Sequence, residues 1–128
     1  MTFARSTIVA SVVAFAAGAG AMWAQQQGQG GSRREPQFEN DQMKVWKSIV
    51  MPNQPLTYHR HDHGRAIIAL TDGRLKVVDR SGKVLDTYTW TKGKAYWLGV
   101  DPPGQMHADV NDTSTPLEVM VVELKKDR

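Results

Sequence analysis

From Met43 to the carboxyl end the chain is interrupted at short intervals by Gly, Pro, Asn and Asp, and the runs between them are rich in Val, Ile, Thr, Tyr and Trp. Such runs are too short for helices and suit a pleated surface, and no segment repeats apolar residues at helical spacing. The pattern predicts an all-β domain with strands at Met43 to Met51, Leu56 to His61, Ala66 to Leu70, Arg74 to Asp79, Val84 to Trp90, Ala95 to Val100, His107 to Val110 and Leu117 to Leu124. That many short strands can close into a barrel or sandwich. The continuous apolar runs Ile67-Ile68 and Val119-Met120-Val121-Val122 predict strands covered on both faces, by a second sheet or by a partner subunit.

Turn chemistry refines this picture. Asp72-Gly73, between two apolar runs, predicts a tight two-residue hairpin; Ser81-Gly82 predicts a second and Lys92-Gly93-Lys94 a third. Pro52 and Pro55 bracket Asn53-Gln54, and Pro116 opens the last strand, where a missing N–H does least harm. Trp46, Tyr88, Trp90, Tyr96 and Trp97 read first as core and rim packing. Tyr96 and Trp97 are also candidate substrate contacts at a pocket mouth.

The first part of the chain is of a different kind. Arg5, the apolar stretch from Ser6 to Ala17 and the small residues Ala19-Gly20-Ala21 and Ala24 match an export signal, with cleavage expected after Ala21 or Ala24. An uncleaved membrane anchor from Thr7 to Trp23 is the alternative, at the short limit for a span. Residues 1–24 are therefore read as a signal peptide and residues 25–42, rich in Gln and Gly, as a disordered linker in which Arg33-Arg34 are solvated charges. Residues 43–128 form the single folded domain, and the protein is expected to be secreted or periplasmic.

The chain has no cysteine, which excludes disulfides, thiolate nucleophiles and thiolate metal ligands. Its net charge of +3 comes from Lys and Arg scattered among acids, so no basic stripe forms and no nucleic-acid partner is expected. The glycines are turn residues rather than a phosphate-cradling loop, and no serine sits in a nucleophile elbow.

All four histidines fall in two segments, Tyr58-His59-Arg60-His61-Asp62-His63-Gly64 and Pro102-Pro103-Gly104-Gln105-Met106-His107. In an extended segment His59, His61 and His63 leave the same face. Unpaired imidazole nitrogens are costly in an apolar interior, so a shared ligand explains the alternation economically. A divalent metal, with His107 completing the set, is that ligand. Asp62 has the opposite parity and reads as a surface residue.

His59-Arg60-His61 followed by Asp72-Gly73 resembles the first motif of the cupins, and Pro102-Pro103-Gly104-Gln105-Met106-His107-Ala108-Asp109-Val110-Asn111 is similar to the second at every fixed position. The resemblance covers Met43 to Leu124. It implies a small jelly-roll barrel of two antiparallel sheets of the RmlC-like cupin type, with Fe, Mn, Ni, Zn or Cu held by His59, His61 and His107. The three-histidine run and the length are also similar to small cupins named as beta-alanine degradation proteins; no substrate is carried over from them.

One departure shapes the expected chemistry. Where the family has a metal-binding Glu, this chain has Arg65 at one allowed spacing and Ala66 at the other. Three neutral imidazoles still suit Fe, Ni, Cu and Zn. His63 and Asp109 are candidate replacements for the lost ligand, as metal ligands or as acceptors for an imidazole N–H. A site one charge more positive than the family's favours an anionic small molecule, for which Arg65 offers a fork of donors.

Two functions are compatible with these residues. One is a metalloenzyme of oxygenase, isomerase or lyase type acting on a small acid. The other is a non-catalytic barrel that binds a small molecule or serves as a scaffold with a degenerate metal site. Family analogy and the continuous apolar strands also predict a homodimer formed through the outer sheet.

Overall fold

The computed structural model describes residues 30–126, so the signal-peptide assignment and the first part of the linker lie outside the described residues. Eight strands follow one another: β1 Arg33–Glu39, β2 Met43–Val50, β3 Arg65–Ala69, β4 Gly73–Val78, β5 Val84–Trp90, β6 Ala95–Leu98, β7 Ala108–Val110 and β8 Leu117–Leu124. They form two antiparallel sheets, a five-stranded one in the order β1-β2-β8-β3-β6 and a three-stranded one in the order β5-β4-β7. The all-β, two-sheet expectation holds.

Alternation assigns the faces. Along β8, Leu117, Val119 and Val121 are buried, while Glu118, Met120 and Val122 between them are half-buried. Trp46, Val50, Ile67 and Ala69 from the large sheet meet Leu75 and Trp90 from the small one, which makes a single core between the layers. The apolar runs are thus sealed by this chain on their inner face only. On the outer face a row of register partners, Phe38, Val45, Val122, Ala66 and Trp97, crosses all five strands.

Three sequence expectations are corrected. Ordered structure begins before Met43, because β1 lies inside the segment read as a linker; its own residues bury little, but it completes a ladder on β2. Glu35 also pairs with Arg33 at 2.9 Å and Lys47 at 3.4 Å. Tertiary pairing here overrides weak local propensity, and Pro36 is tolerated because β1 is an edge strand with a register shift beside it. The strand expected at Leu56 to His61 is a loop, with Leu56 in the core and a single bridge, between His59 and His107, to the barrel.

The third correction concerns turns. Ser81-Gly82 does join two paired strands, β4 and β5, with Gly82 at φ 88°. Asp72-Gly73 and Lys92-Gly93-Lys94 instead carry the chain from one sheet to the other, since β3 does not pair with β4 nor β5 with β6. Gly73 is required for closeness rather than for dihedral freedom: a Cβ there would lie 2.4 Å from Leu117 Cδ1, and Leu117 is fully buried.

Asn111, the last position of the second motif, is wholly buried and holds the barrel end together. Its amide donates to the Val50 carbonyl at 2.9 Å and the Thr115 carbonyl at 2.7 Å, and its oxygen accepts from the Thr113 N–H at 2.9 Å.

Overpacking at Gly73 gives the first test. Gly73→Ala should lower unfolding free energy by about 1–3 kcal/mol in urea titrations, and less in a Leu117→Ala background where the methyl has room. An equal cost in both backgrounds would show that the contact with Leu117 is not the cause.

Candidate metal centre

Two main-chain hydrogen bonds bring the histidine segments together. His59 N–H donates to the His107 carbonyl at 2.9 Å and His107 N–H donates to the His59 carbonyl at 2.8 Å. Flanking contacts extend the alignment, with Leu56 N–H on the Asp109 carbonyl at 3.1 Å and Asn53 N–H on the Asn111 carbonyl at 2.7 Å. Loop 52–59 therefore runs beside β7. His59, His61 and His107 converge so that one ligand atom from each lies within 4.8 Å of the others. Their ring centroids are 4.9 Å (59 to 61), 4.4 Å (59 to 107) and 5.6 Å (61 to 107) apart.

Each ring has its Nδ1 directed at an oxygen that can accept. His59 Nδ1 lies 2.7 Å from the Thr57 carbonyl, His61 Nδ1 lies 2.5 Å from Glu123 Oε1, and His107 Nδ1 lies 3.3 Å from Asp101 Oδ2. A carbonyl only accepts, so the proton of His59 is assigned to Nδ1 and its Nε2 carries a bare lone pair. That Nε2 is buried and has no hydrogen-bond partner. Facing it are further lone pairs: Asp109 Oδ2 is 3.7 Å from His59 Nε2, and Asp109 Oδ1 is 3.6 Å from His107 Nε2. Acceptors that converge without a proton between them call for a cation.

Electrostatics favour neutral rings at His59 and His61, as metal ligation requires. Burial pushes the His61 imidazole down to about 2, with Arg65 adding to the effect, and burial also lowers His59, more than Asp109 can offset. Burial raises Glu123, against the pull of Arg65 and Arg34. The donor set, three imidazoles and one carboxylate, fits a divalent transition ion.

The expected residues separate into groups. His59, His61 and His107 are together, and Asp109 stands against two of them. His63 is outside the cluster. Arg65 is buried, lines a cavity of about 280 Å³ beside the histidines, and donates through Nη1 to the Gly99 carbonyl at 2.9 Å. Tyr96 and Trp97 do not line that cavity: Tyr96 packs near Trp90, and Trp97 is 58% exposed on the outer face.

Three residues that touch the histidines or line the cavity lie outside the sequence reading. Glu123 continues the inward parity of Leu117, Val119 and Val121, so a carboxylate at that position of an apolar strand was a readable sign. It sits opposite Arg65 in the β3–β8 register, and brings a carboxylate close to where the first motif lacks one. Asp101 accepts the His61 main-chain N–H at 2.7 Å as well as facing His107, which nothing local announces. Arg34 reaches the cavity from β1, the supposed linker.

No protein-family model matches the sequence, and no curated protein matches it. Solved structures do. A cupin domain from Bordetella pertussis Tohama I is 24% identical, with a TM-score of 0.63 over 75% of this chain and 95% of that one. An RmlC-like cupin protein from Desulfovibrio desulfuricans is 18% identical, with a TM-score of 0.51 over 73% of this chain and 82% of that one. An RmlC-like cupin family protein with a double-stranded β-helix fold from Methanocaldococcus jannaschii is 11% identical, with a TM-score of 0.55 over 76% and 83% of the two chains. The fold is that of a small cupin domain.

Glu123→Gln keeps the shape but removes the charge that holds His61 Nδ1. Metal affinity measured by chelator competition should fall by about 10–100-fold, while His63→Ala leaves it unchanged. The reverse order of effects would contradict the assignment of His61 and His63.

Proposed function

We propose that this is an exported small cupin whose His59, His61 and His107, with Asp109 as the fourth donor, hold a divalent metal beside a cavity that takes a small anionic molecule. The observation that carries the reading is the buried, partnerless Nε2 of His59, set among acceptors. A relic site with satisfied histidines would turn that nitrogen to a donor. The metal is Fe, Mn, Ni, Zn or Cu, and when bound it supplies a Lewis-acid or dioxygen-binding centre for chemistry of oxygenase, isomerase or lyase type.

This chain's residues have separable tasks in that reading. Thr57, Glu123 and Asp101 fix the tautomer and tilt of the three rings. Arg65, held against the Gly99 carbonyl, supports an anion at the cavity's polar end. Leu75, Val77, Val119 and Val121 exclude water from the other end. The same lining serves a non-catalytic binding protein equally well; turnover is what separates the two.

Metal analysis of the purified protein is the test. The wild type should hold about one ion per chain, and His59→Ala and His107→Ala should each lose it with the fold intact by circular dichroism. A wild type that stays metal-free when offered each of the five ions would overturn the reading.

The proposal extends to location and assembly. Export rests on the composition of residues 1–24, and a homodimer is supported by the apolar row that crosses the outer face of the large sheet. Protein recovered from the cell envelope or medium should begin after Ala21 or Ala24 by intact mass, and should sediment as a dimer that Val122→Glu converts to a monomer. An unprocessed chain would contradict export, and a wild-type monomer would contradict assembly.

A further inference from the structure

We infer that Arg34 is the anchor for the ligand's carboxylate, and that the cavity selects small monocarboxylates with an apolar body. This deepens the proposed small-anion reading and rests on it. Arg34 stands opposite Ser48 in the β1–β2 register, and side chains directly opposite each other share a face of the sheet. Ser48 and Trp46 line the cavity, and so does Arg34. The guanidinium lies over the Trp46 indole, 5.2 Å from its centroid, which fixes its plane.

One atom of the guanidinium lacks a hydrogen-bond partner. Its Nε is buried without a hydrogen bond, whereas the neighbouring Arg65 is tied to a carbonyl. A buried N–H with no acceptor is costly to retain, so a cavity wall that keeps one is suited to a ligand that supplies the acceptor. The carboxylates whose charge acts on Arg34 are already engaged. Glu123 is on His61 Nδ1, and Asp109 faces the Nε2 atoms of His59 and His107. A ligand oxyanion is the missing acceptor, and the planar fork of Nε–H and Nη–H matches a carboxylate.

Charge and size narrow the class. Arg34, Arg65 and a divalent ion set four positive charges against the four carboxylates Asp86, Asp101, Asp109 and Glu123, so no surplus positive charge is left for a phosphate dianion, and a monoanion in direct contact with Arg34 adds the smallest imbalance. The cavity volume of about 280 Å³ is at the small end for ligand sites. Leu75, Val77 and Val121 give it an apolar wall. A short-chain or single-ring monocarboxylate satisfies all of these.

The test is calorimetric titration of the metal-loaded protein with acetate, isovalerate and benzoate, each beside its neutral amide, and with inorganic phosphate. The larger acids should bind at least tenfold more tightly than their amides and than phosphate. Arg34→Gln should abolish that preference with metal content unchanged, and Arg34→Lys, which keeps charge without the fork, should restore part of it. In the wild type, the Arg34 Nε–H resonance should shift on adding benzoate, a readout that needs no variant to fold. Acids that bind no better than amides, or an Nε–H resonance that does not move, would overturn the inference. Metal analysis of the same samples reports separately on the metal reading, so the two can fail independently.

Discussion

The site depends on one bridge between two loops. Neither the His59 nor the His107 segment can place an imidazole by itself, since one is irregular and the other sits at the start of a three-residue strand. The paired hydrogen bonds between their main chains, 2.9 and 2.8 Å, lock the two in register. Each such bond is worth only about 1 kcal/mol net. Their effect is geometric rather than energetic, because they convert separation in sequence into contact between rings.

Around that bridge the barrel supplies orientation. The large sheet contributes Glu123 from β8 and Arg65 from β3, directly opposite each other, the acid held on the His61 ring and the base lining the cavity. Trp46 lies nearly parallel to the His61 ring, at 4° and 6.3 Å between centroids, and restricts its tilt. Asp101 binds both the main chain of His61 and the ring of His107, which couples the two segments a second time. A polar cluster this well anchored inside an apolar shell is rigid, and rigidity is what a metal or ligand site needs.

Much of this was legible in the sequence, for identifiable reasons. Short alternating runs gave the sheets, and the parity of His59 and His61 with the second motif gave the metal cluster. What stayed hidden depends on which strand lies beside which. Asp72-Gly73 has the chemistry of a hairpin, yet the chain there changes sheet, because strand partners are decided by the closure of the barrel and not by the turn. β1 has the composition of a linker because its stability comes from the β2 ladder rather than from its own residues, and nothing local marks Arg34 within it as a cavity residue. Tyr96 and Trp97 show the converse: aromatic character near a site does not place a ring in it, since Tyr96 packs inward on the core near Trp90 and Trp97 leaves the outer face.

The central claim is that three imidazoles present bare Nε2 lone pairs to one point. X-ray absorption spectroscopy of the metal-loaded protein addresses it most directly. The account predicts a first shell with three imidazole nitrogens at about 2.0–2.1 Å for zinc, together with a carboxylate oxygen. A shell with one imidazole or none, filled instead by solvent oxygens, would mean that the histidines do not converge on an ion.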